Sequence, residues 1–453
     1  MKIIVAGDGK VGNAVTRRLA KEGSDLTVID SKQSVLQEIQ ERDDVMVVEG
    51  NAASMPVLRA AGVEDADLLI AATSADEINL LCCLTARSMN PDLHTIARVR
   101  NPDYAEQEFA MRRQLGLSMA VNPEMDAARE ICRLLQYPAF IKRDTFARGK
   151  VEIVELKVFA GARLDGVALK NLDEVCGVKV LICVILRRGR AVIPMGDDVL
   201  QAGDRIFVTA KSETLAQLIK NLGIQDHRVR RAMIVGGGRL GYQVARHLLE
   251  SGIRVKVIEK KEEACRQLAA RLPKATVIHG EGSSQQLLDS EGLASSDALI
   301  TLTGIDEENL IISMYATRLG LPKVITRVER MENYDMFSDM GAGSIISPKD
   351  LCSSEIVRYA RAMQNKTGSM RALHRIADNQ AEALEFLVTP DVRYQGVPLK
   401  DVPIRKNALI ACITNEGHTF IPSGDNYFEL DNRVVAVVTG DMAVRDLNDI
   451  FAD

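Results

Sequence analysis

One short pattern occurs twice in this chain, in step, and it leaves few folds open. Lys2-Ile3-Ile4-Val5-Ala6 is an apolar run of the kind a buried parallel strand uses, and it feeds Gly7-Asp8-Gly9-Lys10-Val11-Gly12. Asn13 to Ala20 then reads as a helix with Val15 and Leu19 on one face, and Leu26-Thr27-Val28-Ile29 as a second strand ending in Asp30. Strand, glycine loop, helix, strand and acid together form the dinucleotide-binding fingerprint. Gly7 permits the tight turn, Gly9 lets a pyrophosphate approach the backbone, and Gly12 lets the helix close on the strand. First-turn N–H groups and the positive end of the helix dipole then face the phosphates. The unit returns as Arg231 to Val235, the loop Gly236-Gly237-Gly238-Arg239-Leu240-Gly241, a helix from Tyr242 to Leu249, and Val255 to Ile258 before Glu259. Gly7 to Gly236, Gly12 to Gly241 and Asp30 to Glu259 each span 229 positions, a register that chance does not keep.

Past Asp30 the first copy goes on alternating short apolar strands with helices. Val45 to Val48, Leu68 to Ala72, His94 to Val99 and Met119 to Val121 read as strands, and Val35 to Gln40, Pro56 to Ala61 and Ile78 to Met89 as helices. That alternation predicts a doubly wound parallel sheet. Such sheets bind ligands at the carboxyl ends of their strands. The glycine loop, Asp30, Thr73-Ser74 and Arg98 all fall at such ends. After Asn122-Pro123 an amphipathic helix, Met125 to Leu135, stops at Tyr137-Pro138. Glu152 to Val158 alternates as a half-buried strand does, and Val178 to Leu186, Ala191 to Ile193 and Arg205 to Thr209 add more strands around an Arg187-Arg188-Gly189-Arg190 turn. This is a small α+β module.

The second half repeats both parts. Thr303 and Asp306 match Thr73 and Asp76 with one residue inserted, Arg327 matches Arg98, and Ser347-Pro348 matches Asn122-Pro123. The long helix recurs from Cys352 to Met363, followed by a polar stretch, Gln364 to Gln380, expected to be helical in part. In the small modules Pro194, Gly196-Asp197 and Arg205 return as Pro422, Gly424-Asp425 and Arg433. The chain is a tandem duplication, A-B-A′-B′.

Composition excludes several classes. A chain of 453 residues is too long for one core and suggests about three or four domains. A net charge of −5 gives no pull toward nucleic acid or an anionic membrane. No apolar run approaches the ~20 residues of a spanning helix. The N-terminus enters a strand directly, so no signal peptide and a cytosolic location are expected. Eight cysteines without any C-x-x-C fit reduced, buried thiols better than disulfides or zinc, and no ligand cluster marks a metal site.

With these residues on the page, the chain resembles the RCK, or KTN, domains of potassium channels and transporters. Its membrane-free two-copy arrangement is similar to the tandem RCK regulatory subunits of Trk potassium-uptake systems. The resemblance covers essentially the whole chain. It implies an RCK N-terminal Rossmann domain at 1–123, a crossover helix and linker at 124–148 and a C-terminal module at 149–225, then the same three parts at 226–348, 349–380 and 381–453. It implies binding of NAD or NADH and of ATP or ADP. It implies a non-enzymatic subunit on the cytoplasmic face of the inner membrane, attached through protein contacts. The partners it implies are a Trk-type potassium-transporting membrane subunit and its own copies, a homo-tetramer closing a ring of eight modules.

The cofactor-binding set expected is Gly7, Asp8, Gly9, Lys10, Val11, Gly12, Asp30, Thr73, Ser74 and Arg98, and again Gly236, Gly237, Gly238, Arg239, Leu240, Gly241, Glu259, Thr303 and Arg327. Asp30 and Glu259 suit a free 2′-hydroxyl and repel a 2′-phosphate, which favours NAD over NADP. Arg98 and Arg327 are placed either to fork onto phosphate or ribose oxygens or to make structural ion pairs. Lys10 and Arg239 either flank phosphates or stay solvated. The loops differ, with Asp8 becoming Gly237 and Ser74 becoming Gly304, so two ligand preferences are as compatible as one. A hydride-transfer enzyme would need a placed proton donor. There is no Tyr-x-x-x-Lys pair, and the six histidines, His94, His227, His247, His279, His374 and His418, are scattered. An NAD-dependent oxidoreductase and a soluble nucleotide sensor with a non-transporter partner are the alternatives.

Overall fold

The computed structural model describes the chain apart from residues 102–103, 105–114, 137–139, 225–227, 331–336, 338–339, 365–368, 379, 441–443 and 453. The Tyr137-Pro138 helix stop and His227 lie outside the described residues. By internal contacts the chain forms two compact units, residues 1–127 with 347–364, and residues 128–346 with 365–453.

The first unit is built on strand β1 (Lys2–Ala6), helix α1 (Lys10–Lys21), β2 (Asp25–Asp30), α2 (Gln33–Arg42), β3 (Met46–Glu49), α3 (Met55–Ala60), β4 (Leu68–Ala71), α4 (Asp76–Met89), β5 (His94–Arg98) and β6 (Met119–Val121). The strands pair in parallel in the order β3-β2-β1-β4-β5-β6. The order reverses between β1 and β4, and that reversal opens a crevice at the carboxyl ends. β4 is buried along its whole length, as its unbroken apolar run requires when helices cover both faces. Helix α5 (Pro123–Gln136) leaves the sheet after β6.

The second unit begins within α5. The antiparallel strands β7 (Arg143–Phe146), β8 (Val151–Lys157), β9 (Leu181–Arg187), β10 (Arg190–Val192) and β11 (Arg205–Lys211) form a sheet of order β10-β9-β11-β8-β7, beside short helices α6 (Leu172–Cys176) and α7 (Leu215–Asn221). The Rossmann pattern then returns as β12 (Arg231–Val235), α8 (Arg239–Glu250), β13 (Arg254–Glu259), α9 (Glu262–Arg271), β14 (Thr276–His279), α10 (Gln285–Ser290), β15 (Ala298–Thr301), α11 (Asp306–Arg318), β16 (Lys323–Arg327) and β17 (Ser344–Ile346). Its parallel order, β14-β13-β12-β15-β16-β17, repeats the first sheet strand for strand.

Helix α12 (Pro348–Gln364) follows β17 in sequence but groups with the first unit. Its Cys352, Ile356, Val357 and Ala360 share a buried cluster with Val11, Val15 and Leu19 of α1. Arg18 donates to Asp350 at 2.9 Å and Ser354 at 2.7 Å, and Arg361 pairs with Glu22 at 2.6 Å.

A last antiparallel sheet, of order β18-β19-β22-β20-β21, uses β18 (Met370–Ile376), β19 (Ala381–Leu387), β20 (Ala408–Asn415), β21 (His418–Phe420) and β22 (Arg433–Thr439). Strand β18 falls in the polar stretch where part of a helix was expected. Arg375 pairs across to Glu382 of β19 at 3.2 Å, and His374 contacts Asp144 of β7 at 2.9 Å. Inner residues of both small sheets, among them Ile153, Val184 and Phe207 with Ala383, Cys412 and Val435, form one buried cluster. All eight cysteines are free, and all but the half-buried Cys132 are buried. Among the described residues no helix is long and apolar enough to cross a membrane.

Candidate functional site

Each parallel sheet carries the same construction at its carboxyl end. Helix α1 starts at Lys10, inside the glycine loop, and α8 starts at Arg239 in the same way. Their N-caps are Gly9 and Gly238, and neither offers a side-chain cap. First-turn amides of a helix lack intrahelical acceptors, so an uncapped start in a crevice suits an anion. The loops are drawn tight against the next strand. Gly7 has φ +90°, and a Cβ there would meet the Thr73 backbone at 2.7 Å; Gly12 lies against the Gly7 carbonyl, leaving no room for a side chain. Val11 and Gly12, like Leu240 and Gly241, are buried under the loop, whereas Lys10 and Arg239 are exposed at its rim.

The acids at the ends of β2 and β13 brace their loops. Asp30 accepts from the Asp8 amide at 2.9 Å and the Lys32 amide at 3.0 Å. Glu259 accepts from Gly237 at 2.7 Å and Lys261 at 2.8 Å. Each carboxylate therefore sits beside its loop with lone pairs still available to a hydroxyl. Asp8 is turned onto α1, where Asn13 donates to its carboxylate at 2.8 Å and Thr16 at 3.4 Å. Burial pushes the Asp8 pKa up, against the pull of Asn13, Arg42 and Thr16. Its counterpart is Gly237, so only the first loop holds this buried carboxyl.

On the far side of each crevice stand the threonines and arginines. Arg98 donates to the Thr73 carbonyl, and Arg327 approaches the Leu302 and Thr303 carbonyls at 3.4 Å. The loop after β4 is completed by exposed Ser74. Asp76, matched in sequence only to Asp306, and Asn79, to which the sequence assigned no role, are both organisers of the crevice. Asn79 accepts from the Thr73 amide at 2.8 Å and donates to the Arg98 carbonyl at 2.9 Å. Asn309 repeats this with Thr303 at 2.9 Å and Arg327 at 3.1 Å. Asp76 takes the amides of Arg100 and Asn101, and Asp306 those of Glu329 and Arg330. The signal was their recurrence at a common spacing of 230 residues.

The residues present fit a nucleotide. The Nε of Arg98 and that of Arg327 are buried and find no hydrogen-bond acceptor among the described residues. A buried unpaired donor costs about 1–3 kcal/mol, which an anionic oxygen would recover. A Cβ at Gly9 or Gly238 would touch nothing, so space lies open over both helix starts. Among the described residues no group of acids, histidines and cysteines could hold a metal ion.

Comparison with known proteins matches this architecture. A family model described as the TrkA-N domain matches residues 3–123 and again 232–348, and one described as the TrkA-C domain matches 153–223. The chain is 33% identical over 451 residues to a Trk system potassium uptake protein TrkA homolog of Archaeoglobus fulgidus, covering 100% of both chains. It is 31% identical over 456 residues to the Trk system potassium uptake protein TrkA of Halomonas elongata, covering 100% of this chain and 98% of that one. Among solved structures, the GsuK RCK domain superposes at TM-score 0.62 and 19% identity over 97% of this chain and 92% of that one. The GsuK channel bound to NAD gives 0.62 and 19% over 97% and 77%. At that identity the likeness is one of fold.

Proposed function

The chain belongs to the TrkA family of Trk-system potassium uptake proteins, and from that premise we propose that it is the regulatory subunit of such a system. In this reading it binds NAD(H) and adenine nucleotides (ATP or ADP) in its two crevices. Binding there governs potassium flux through a Trk-type membrane subunit, which it contacts from the cytoplasmic side. The division at residues 123, 148, 225, 348 and 380 belongs to the same proposal, with each Rossmann part sensing and each small module assembling.

The observation that supports it is the doubled crevice, in which an uncapped helix start, an acid bound to the glycine loop and an arginine whose buried Nε has no hydrogen-bond acceptor among the described residues recur together. Gly7 to Gly12, Asp30, Thr73, Ser74 and Arg98 would hold one nucleotide, and Gly236 to Gly241, Glu259, Thr303 and Arg327 the other. The amides of the helix start would take phosphate oxygens, and the acid would take ribose hydroxyls. A 2′-phosphate would face that carboxylate, so NADP should bind more weakly.

A ligand shifts a partner only through differential affinity for two states. Helix α1 begins at the first crevice, and its flank is held by α12. We take this pair as the element whose packing follows nucleotide binding. The histidines favour regulation over hydride transfer. His94 engages Tyr359, His247 the Gln243 carbonyl, His279 the Lys260 carbonyl and His374 Asp144, none of them at a glycine loop.

The test is calorimetric titration of the full chain with NAD, NADH, NADP, ATP and ADP, repeated on Gly9→Asp and Gly238→Asp. Both positions have extended backbone and open space, and Asp is a good N-cap, so each variant should fold while its carboxylate closes one crevice to phosphate. Each is expected to abolish one class of sites and leave the other. Saturable binding untouched by either change, or no binding at all, would overturn the proposal.

A further inference from the structure

The two crevices differ by a charge reversal at one place. Arg98 corresponds to Arg327, and two residues on, Arg100 corresponds to Glu329. In the first crevice Arg98 donates to the Thr73 carbonyl, while Arg100 donates to the Ser74 carbonyl at 2.5 Å. Two guanidinium groups therefore reach the same loop. The Nε of Arg100, like that of Arg98, is buried without a hydrogen-bond acceptor among the described residues, although Asp76 lies 3.6 Å away. Burial and then the neighbouring Arg100 push the Arg98 pKa down, with Glu124 and Asp76 opposing. Asp76 is thus within ion-pair distance of Arg100, yet neither Nε has a hydrogen-bond acceptor among the described residues.

The second crevice is already neutralised. Arg327 makes an ion pair with Glu329, and the backbones of Glu329 and Arg330 are fixed by Asp306 at 2.9 and 2.8 Å. Arg330 is turned to Glu307 at 2.8 Å. A phosphate approaching Arg327 must compete with a carboxylate that is only 17% exposed.

We propose that the residue at positions 100 and 329 sets the ligand charge each crevice accepts. Arg100 makes the first crevice selective for nucleoside di- and triphosphates, whose terminal phosphate carries the most charge. Glu329 turns the second toward the less charged diester phosphates of a dinucleotide. This rests on the reading of both crevices as nucleotide sites.

The experiment isolates each crevice in the full chain, using Gly238→Asp to report the first and Gly9→Asp the second. Affinities for ATP and NAD are measured with and without Arg100→Gln and Glu329→Gln, with a thermal melt to confirm folding. Glu329→Gln should tighten ATP at the second crevice about tenfold while moving NAD by less than about twofold, the size expected when one nearby charge is removed. Arg100→Gln should weaken ATP at the first by a similar factor. Equal effects on both ligands, or none, would overturn the charge assignment while leaving nucleotide binding intact. Absence of any binding to the unsubstituted chain would instead remove the nucleotide reading itself, and this inference with it.

Discussion

Single residues here do more than fill a motif. Asn79 and Asn309 are buried and tie the end of one strand to the end of the next, so the arginines inherit their position from an amide on a helix. Lys323 is another such residue. It is wholly buried at the start of β16, donating to the Phe140 carbonyl at 2.6 Å and Ser344 at 2.8 Å. Burial lowers its pKa to about 7, against the pull of Glu155 and Glu130. Between that value and its ordinary 10.5 the unfolded chain binds a proton that the folded chain does not. The cost of the buried ammonium is therefore full below about pH 7 and fades as pH rises toward about 10. Melting temperature should rise across that window, and Lys323→Met should flatten the rise. An unchanged slope in the variant would show that other groups set it.

At the scale of elements, much was legible. Strand β1 has the bounds its sequence suggests, because from Ile3 to Ala6 it is buried without a break and only Lys2 at its start is exposed. Helix α1 was read from Asn13 but starts at Lys10, since the glycines that open it mask the helical pattern. Strands β7 and β18 were missed for an opposite reason. Arg143, Asp144, His374 and Arg375 look like loop residues until Glu152, Glu382 and each other neutralise them, a pairing that exists only in three dimensions. The candidate loops and acids could be read directly, whereas Glu329 acquires meaning only when it is seen beside Arg327. The place of α12 was equally hidden, because helical periodicity shows an apolar face and not which sheet receives it. Ile356 lies fully buried in that contact. Ile356→Ala should cost the first unit about 2–5 kcal/mol, read as a lower denaturant midpoint for that unit's transition. A loss below about 0.5 kcal/mol would mean that α12 does not hold the first sheet together.

For the whole molecule, the proposed assembly is a homo-tetramer whose eight Rossmann and small-module pairs close a ring. Light scattering on the purified chain should give four chains per particle, and a stable monomer or dimer would remove the ring. Within one chain, the two small sheets already share a buried apolar cluster, so they behave as one body. The place of α12 has a consequence for assembly. A sheet finished by a helix from the other half of a duplication is not self-sufficient. A single-copy ancestor, carrying only one such half, would have left the flank of α1 bare unless a second molecule lent its helix. In the present chain that helix is tethered to the sheet it completes, so the contact does not depend on chain concentration.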